Sequence, residues 1–191
     1  MKRVLSLMMF AFLSVGVMAQ TTWKVDPAHS QVTFGIEHLT ISEIEGGFDS
    51  YDATIVASKD DFSDAKFEVT IDVNSINTGI QMRDDHLRNP DFFEVEKYPE
   101  MTFKSNSIRK AGNDRYKVTG DLTFHGVTKP VTLDVWYRGT IENPQNGDVI
   151  SGFQVTGEVK RSDFNLGPDF PEQVLSDKVR IKVDGEFKKQ A

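Results

Sequence analysis

The chain has 191 residues, 22 of them basic and 29 acidic, with no cysteine and a net charge of −7. That length predicts one domain of ordinary size, and the missing thiols exclude disulfides, thiolate metal sites and cysteine nucleophiles. An acidic chain without a basic cluster is poorly matched to nucleic acid or to anionic lipid surfaces.

Residues 1–19 read as a secretory signal peptide. Lys2 and Arg3 precede an apolar run over 4–17, and Val17 and Ala19 supply the small residues of a cleavage site. The run is too short for a membrane span. Cleavage after Ala19 removes two bases and no acid, taking the net charge from −7 to −9. The predicted location is therefore the periplasm or the cell exterior. A cysteine-free exported chain must fold on its core alone, and about 170 residues bury enough surface for that.

From there strand follows strand. "AKFEVTIDV" (65–73) is the clearest case. Ala65, Phe67, Val69, Ile71 and Val73 share one face, and Lys66, Glu68, Thr70 and Asp72 share the other. The same alternation places Val32, Phe34 and Ile36 with His38, and Met101 with Phe103. It recurs through Tyr116, Val118, Leu122 and Phe124, then Val131, Leu133, Val135 and Tyr137. Phe153, Val155 and Val159 follow, then Val179, Ile181, Val183 and Phe187. The predicted strands are 30–39, 46–57, 65–75, 100–109, 114–124, 129–141, 149–161 and 177–189.

Eight half-buried strands without a βαβ pattern predict an all-β fold, an antiparallel sandwich or barrel. The connections favour the barrel. Those after strands 2, 4 and 6 ("SKDDFSD", "KAGNDR", "ENPQNGD") are short polar turns. Those after strands 3 and 7 are long, which is uncommon unless a loop has work to do. In an up-and-down meander both long connections fall at the same end. The expected shape is a cup with an elaborated mouth, wide enough for one small ligand.

The third connection holds "TGIQMRDDHLRN" (78–89), a predicted short helix capped by Thr78 and stopped by Pro90. Ile80, Arg83 and Leu87 share a stripe on it, with His86 beside Arg83. Phe92, Phe93, Tyr98 and Pro99 return the chain to the barrel. Asp84, Asp85 and His86 are consecutive and point apart, and no H-x3-H spacing is present, so no metal site is predicted. His29 is assigned to the far end, and His125 has the wrong parity to face inward, so it is expected to point outward or sit in the turn. No G-x-S-x-G occurs and the acids lie on the wet parity, so no catalytic residue is assigned.

The candidate cavity residues are Phe34, Ile36, Phe67, Val69, Ile71, Phe103, Phe124, Val135, Phe153 and Val155. The candidate mouth or head-group residues are His38, Arg83, His86 and Arg161. Arg161 is expected to meet either a ligand head or a loop acid, Asp163 or another. Asp84 is expected to be dispensable. An apolar interior with cations only at its rim suits a long hydrocarbon with a polar or anionic head. Two other readings stay open: a filled barrel serving a stress response or a protein partner, and a small-molecule hydrolase or isomerase using His and Asp groups at the mouth. A homodimer is also left open.

Four blocks carry a family resemblance: "WKVDPAHSQVTFGIEHL" (23–39), "SINTGIQMRDDHLRNPDFFEVEKYPEMTFKS" (75–105), "GDLTFHGVTKPVTL" (120–133) and "VKRSDFNLG" (159–167). Together they resemble the YceI-like family of secreted or periplasmic bacterial proteins. The resemblance implies an extended lipocalin-like barrel that holds a polyisoprenoid or isoprenoid quinone and needs no other cofactor. It marks "RDDHL" (83–87) and "FF" (92–93) as signature residues without a catalytic role. One departure is the Phe164-Asn165-Leu166-Gly167 stretch, where the family often has F-G, so the seventh connection is expected to be shaped differently.

Overall fold

The computed structural model describes residues 19–190. The signal-peptide reading therefore falls, except for Ala19, outside the described residues. Eight antiparallel staves form a closed ring in which each pairs with the next in the chain. The first stave is β1 (Thr21–Val25) and β2 (Gln31–His38), and the second is β3 (Ser42–Phe48) and β4 (Tyr51–Ala57). The third is β5 (Lys66–Asp72) and the two-residue β6 (Ile76–Asn77). Helix α1 (Gln81–Arg88) follows, then β7 (Glu100–Gly112), β8 (Arg115–Phe124), β9 (Val127–Glu142), β10 (Val149–Lys160) and β11 (Leu175–Lys189). β11 closes the ring on both halves of the first stave, pairing Lys189 with Trp23 and Ile181 with Phe34. Closure removes the exposed edges that an open sheet would present.

The staves lie where alternation places them, with two exceptions. The first begins at Thr21 rather than 30, and the second at Ser42 rather than 46. Both are interrupted, and interruption breaks the period of two. Pro27 opens a 3-10 turn, Pro27–His29, capped by Asp26 accepting from Ala28 N. His29 consequently sits exposed at the break in the wall, not at the far end as expected. In β3 the paired Gly46 and Gly47 blur the pattern. Their lack of side chains is used: a Cβ on Gly46 would collide with the Phe34 ring and with Thr78.

The far end is plugged. Phe62, in the turn read as polar, takes a left-handed φ of 56° and turns its ring inward until 2% is exposed. It packs on Trp23, Tyr137 and Phe153 with ring centroids 5.3, 4.9 and 5.0 Å away. Tyr116 donates its hydroxyl to the carbonyl of Asp61, fixing the same turn.

The other end carries both elaborated connections, as expected of an up-and-down meander. The two-residue turn His125-Gly126 between β8 and β9 has positive φ at both positions, the twist-matched hairpin geometry. Residues 78–99 and 161–174 fold over that end. Among the described residues no helix is long and apolar enough to cross a membrane.

Candidate functional site

Inside the ring the odd residues of some staves and the even residues of others face one another. The twelve phenylalanines among the described residues do not fill the space. A cavity of about 530 Å³ remains, within the range of small-molecule sites. Phe34, Ile36, Phe67, Val69, Ile71, Phe103, Phe124, Val135, Phe153 and Val155 all line it. So do His38, Arg83, His86 and Arg161. All fourteen candidates thus line one space, twelve of them from or at the ends of strands and Arg83 and His86 from helix α1. Parity did not find Val25, Ile44, Phe48, Tyr51 and Ala53, which line the same cavity from the interrupted staves.

The roof is built from the two long connections. Phe92 and Phe93 are buried and line the cavity, with Phe93 packed on Phe124 and Phe48. Phe92 stacks on Phe170 of the other connection at 5.0 Å. Gly167, with φ 54°, passes so close to Phe92 that a Cβ there would overlap the ring. Phe164 and Leu166, which depart from the family pattern, are both buried against this roof. The signature aromatics therefore contribute to the cavity wall.

Arg161 is 7% exposed, and the structure assigns it a different part from the one expected. Nε donates to Ser176 O at 3.1 Å. Nη1 donates to Leu166 O at 3.0 Å and Gly167 O at 2.6 Å, and Nη2 to Phe170 O and Leu175 O. All five donors of the guanidinium fork are engaged by carbonyls. None is left for a ligand head, and no pair with Asp163 forms. Arg161 instead folds residues 161–176 into a cap.

Arg83 and Asp84 hold the other connection. Arg83 donates from Nε to Thr78 Oγ1 and from Nη2 to Thr78 O, both at 2.7 Å. The Asp84 carboxylate accepts from Thr78 N at 2.9 Å and from Thr78 Oγ1. Asp84 is only 6% exposed, so the expectation that it is dispensable is corrected. Thr78 is the grip of this clamp, not the helix cap; the N-cap is Ile80, without a side-chain bond. Ile80 is exposed and does not join Arg83 and Leu87 on the cavity side. Among the described residues Nη1 of Arg83 has no acceptor, so this arginine keeps donors free at the rim. His86 pairs with Asp91 and stands edge-on to Phe92 at 5.1 Å. His38, at the end of β2, completes the rim.

His125 lies in the β8–β9 turn, one of the two places its parity allows. There it joins the two connections. Its Nδ1 faces the Phe164 carbonyl at 3.0 Å and is therefore the protonated nitrogen. Its ring stands on Tyr98 at 4.6 Å, and its buried Nε2 lies 3.7 Å from Glu94 without a hydrogen bond. Nothing in the local sequence reveals this role, because both partners are far along the chain. Among the described residues no cluster of three or more potential metal ligands occurs.

A family model described as the YceI-like domain matches residues 23–187, nearly the whole barrel. The chain belongs to the YceI-like family. A curated relative, UPF0312 protein SAS2572 of Staphylococcus aureus, is 36% identical over 171 residues, covering 90% of this chain and 96% of its own. Among solved structures, the Campylobacter jejuni YCEI protein is 37% identical with a TM-score of 0.73, covering 81% of this chain and 90% of its own. Burkholderia cenocepacia BcnA is 30% identical with a TM-score of 0.74, covering 85% and 98%. A polyisoprenoid binding domain from Saccharophagus degradans, implicated in plant cell wall breakdown, shares the fold at 21% identity. Its TM-score is 0.64, with 88% of this chain and 98% of that domain covered.

Proposed function

We propose that this YceI-like barrel binds and carries a polyisoprenoid, an isoprenoid quinone or a similar amphiphilic lipid, and performs no chemistry on it. The observation that carries the reading is the apolar cavity of about 530 Å³ with its arginine and histidine side chains gathered at one end. The hydrocarbon lies between the ten cavity residues. The polar end meets Arg83, His38 and His86 at the rim, while Arg161 supports the cap from behind. About 15 buried carbons, at roughly 0.8 kcal/mol each, contribute about 12 kcal/mol. Association costs of about 4 kcal/mol or more reduce this to about 8 kcal/mol, a micromolar affinity. The fold is shared with the Saccharophagus domain, whose name records a polyisoprenoid. Residues 1–19 deliver the chain to the periplasm or the cell exterior, where a water-insoluble lipid needs a carrier.

Native mass spectrometry of protein purified from its own compartment, with lipid extraction of the same sample, tests the reading. A stoichiometric adduct that extracts as an isoprenoid or quinone is the expected result. Replacing Val155 by Asp, which puts a charge in the cavity, should abolish the adduct in a folded protein. An apo mass that persists after such lipids are added back would overturn the proposal.

A further inference from the structure

Five large hydrophobic side chains are exposed among the described residues: Leu39, Ile41, Ile80, Met82 and Ile141. Scattered singly, such residues need no explanation. Here four of the five stand at the mouth end. Leu39 and Ile41, the latter 84% exposed, lie in the turn between β2 and β3. Ile80 and Met82, the latter 82% exposed, open helix α1. Ile141 lies near the end of β9, at the plugged end.

Their placement follows the seams of the roof. The β2–β3 turn is stitched to the second long connection by Leu39 N donating to Val174 O at 3.0 Å. That connection is packed on the first through Phe92 and Phe170. Among the described residues no hydrogen bond joins α1 to the 39–41 turn. Both sides of this unstitched seam line the cavity, His38 and Ile44 from the one and Arg83 and His86 from the other. Leu39 and Ile41 flank it on one side, and Ile80 and Met82 on the other.

We infer that this end of the barrel docks on a lipid bilayer, the four side chains entering the interface so that the seam opens onto the acyl region. The inference rests on the lipid-carrier reading. A cargo that needs an apolar cavity is almost insoluble in water, so loading through a mouth seated on the bilayer spares it the aqueous step. The docking is apolar in origin. Glu37, Glu43 and Glu45 line the outer side of one lip, and Asp85 and Asp91 accompany the other. Attraction to anionic lipid does not account for it, and the surface favoured is neutral or zwitterionic.

The test uses the chain from Gln20 onward, which holds every stave of the closed ring and lacks the apolar leader. It is floated with empty phosphatidylcholine vesicles, with and without added salt. Ile41→Asp/Met82→Asp is compared with Ile141→Asp; all three sites are exposed, so folding is spared. The parent and Ile141→Asp should float alike at either salt concentration, and the double variant should bind at least tenfold less. A double variant that floats like the parent overturns the inference, as does a parent that stays at the bottom. So does a dimer that the double variant disperses while no protein floats, since the patch is then covered by a second copy. Quinone delivered from detergent separates the two readings. Uptake without flotation removes docking and leaves the carrier, whereas flotation without uptake removes the carrier and leaves docking.

Discussion

Removing the Arg161 guanidinium tests the cap most directly. The side chain makes five hydrogen bonds to carbonyls of residues 166, 167, 170, 175 and 176. Hydrogen bonds to a charged group contribute about 1.5–3 kcal/mol each, so a simple sum would be about 7 kcal/mol or more. That sum overstates the loss, because the stranded carbonyls can reach water if the cap lifts. Lifting exposes Phe164, Leu166 and Phe170, which costs about 1.5–3 kcal/mol per side chain. The expected loss for Arg161→Met is therefore about 3–5 kcal/mol, comparable to stranding one partner of a buried ion pair. Urea unfolding followed by circular dichroism measures it. Hydrogen exchange at the amides of Leu166, Phe170 and Leu175, all bonded within the cap, shows whether the cap lifts first. Arg161→Lys should recover less than half, since three donors on one nitrogen cannot span five carbonyls. Stability within 1 kcal/mol of the parent together with unchanged cap exchange would refute the reasoning.

Three further outcomes follow from the same geometry. Phe62→Ala should cost about 3–5 kcal/mol in chemical denaturation and admit water-soluble quenchers from the plugged end, where the parent is closed. Asp84→Ala leaves the Thr78 N–H and hydroxyl without their acceptor in a half-buried site; a loss of about 1–3 kcal/mol and faster exchange across α1 are expected. Asp26, hydrogen-bonded by Lys188 and then by His29, is held down to about 2 from 3.8. A carboxyl lowered on folding stabilises fully above its unfolded value and loses that contribution as pH falls from about 4 to about 2. Asp26→Asn should remove an acid-dependent increment of about 1 kcal/mol from the stability profile over that window.

The sequence by itself determined the wall. A period of two over Phe67-Val69-Ile71 or Phe153-Val155 assigns each side chain to one face, because successive residues of a strand must point to opposite sides. The parity of the long connections then placed both at one end of a meander. The same parity assigns His38, Arg83 and His86 to the end that carries those connections.

Only the tertiary structure decided what closes the cup and what stays free at its mouth. Phe62 reads as a turn residue until its left-handed backbone carries the ring inward. Arg161 reads as a head-group cation because its partners are backbone carbonyls, which have no identity in a sequence, and Asp84 reads as a surface charge because its grip on Thr78 depends on the fold of the connection. His125 sits in a turn, where its parity allowed it, and still has its Nε2 buried, because two connections distant along the chain fold over it. The volume left empty depends on how phenylalanine rings from different staves interleave. No pairwise pattern along the chain encodes that, since it is a sum over contacts that exist only once the ring has closed.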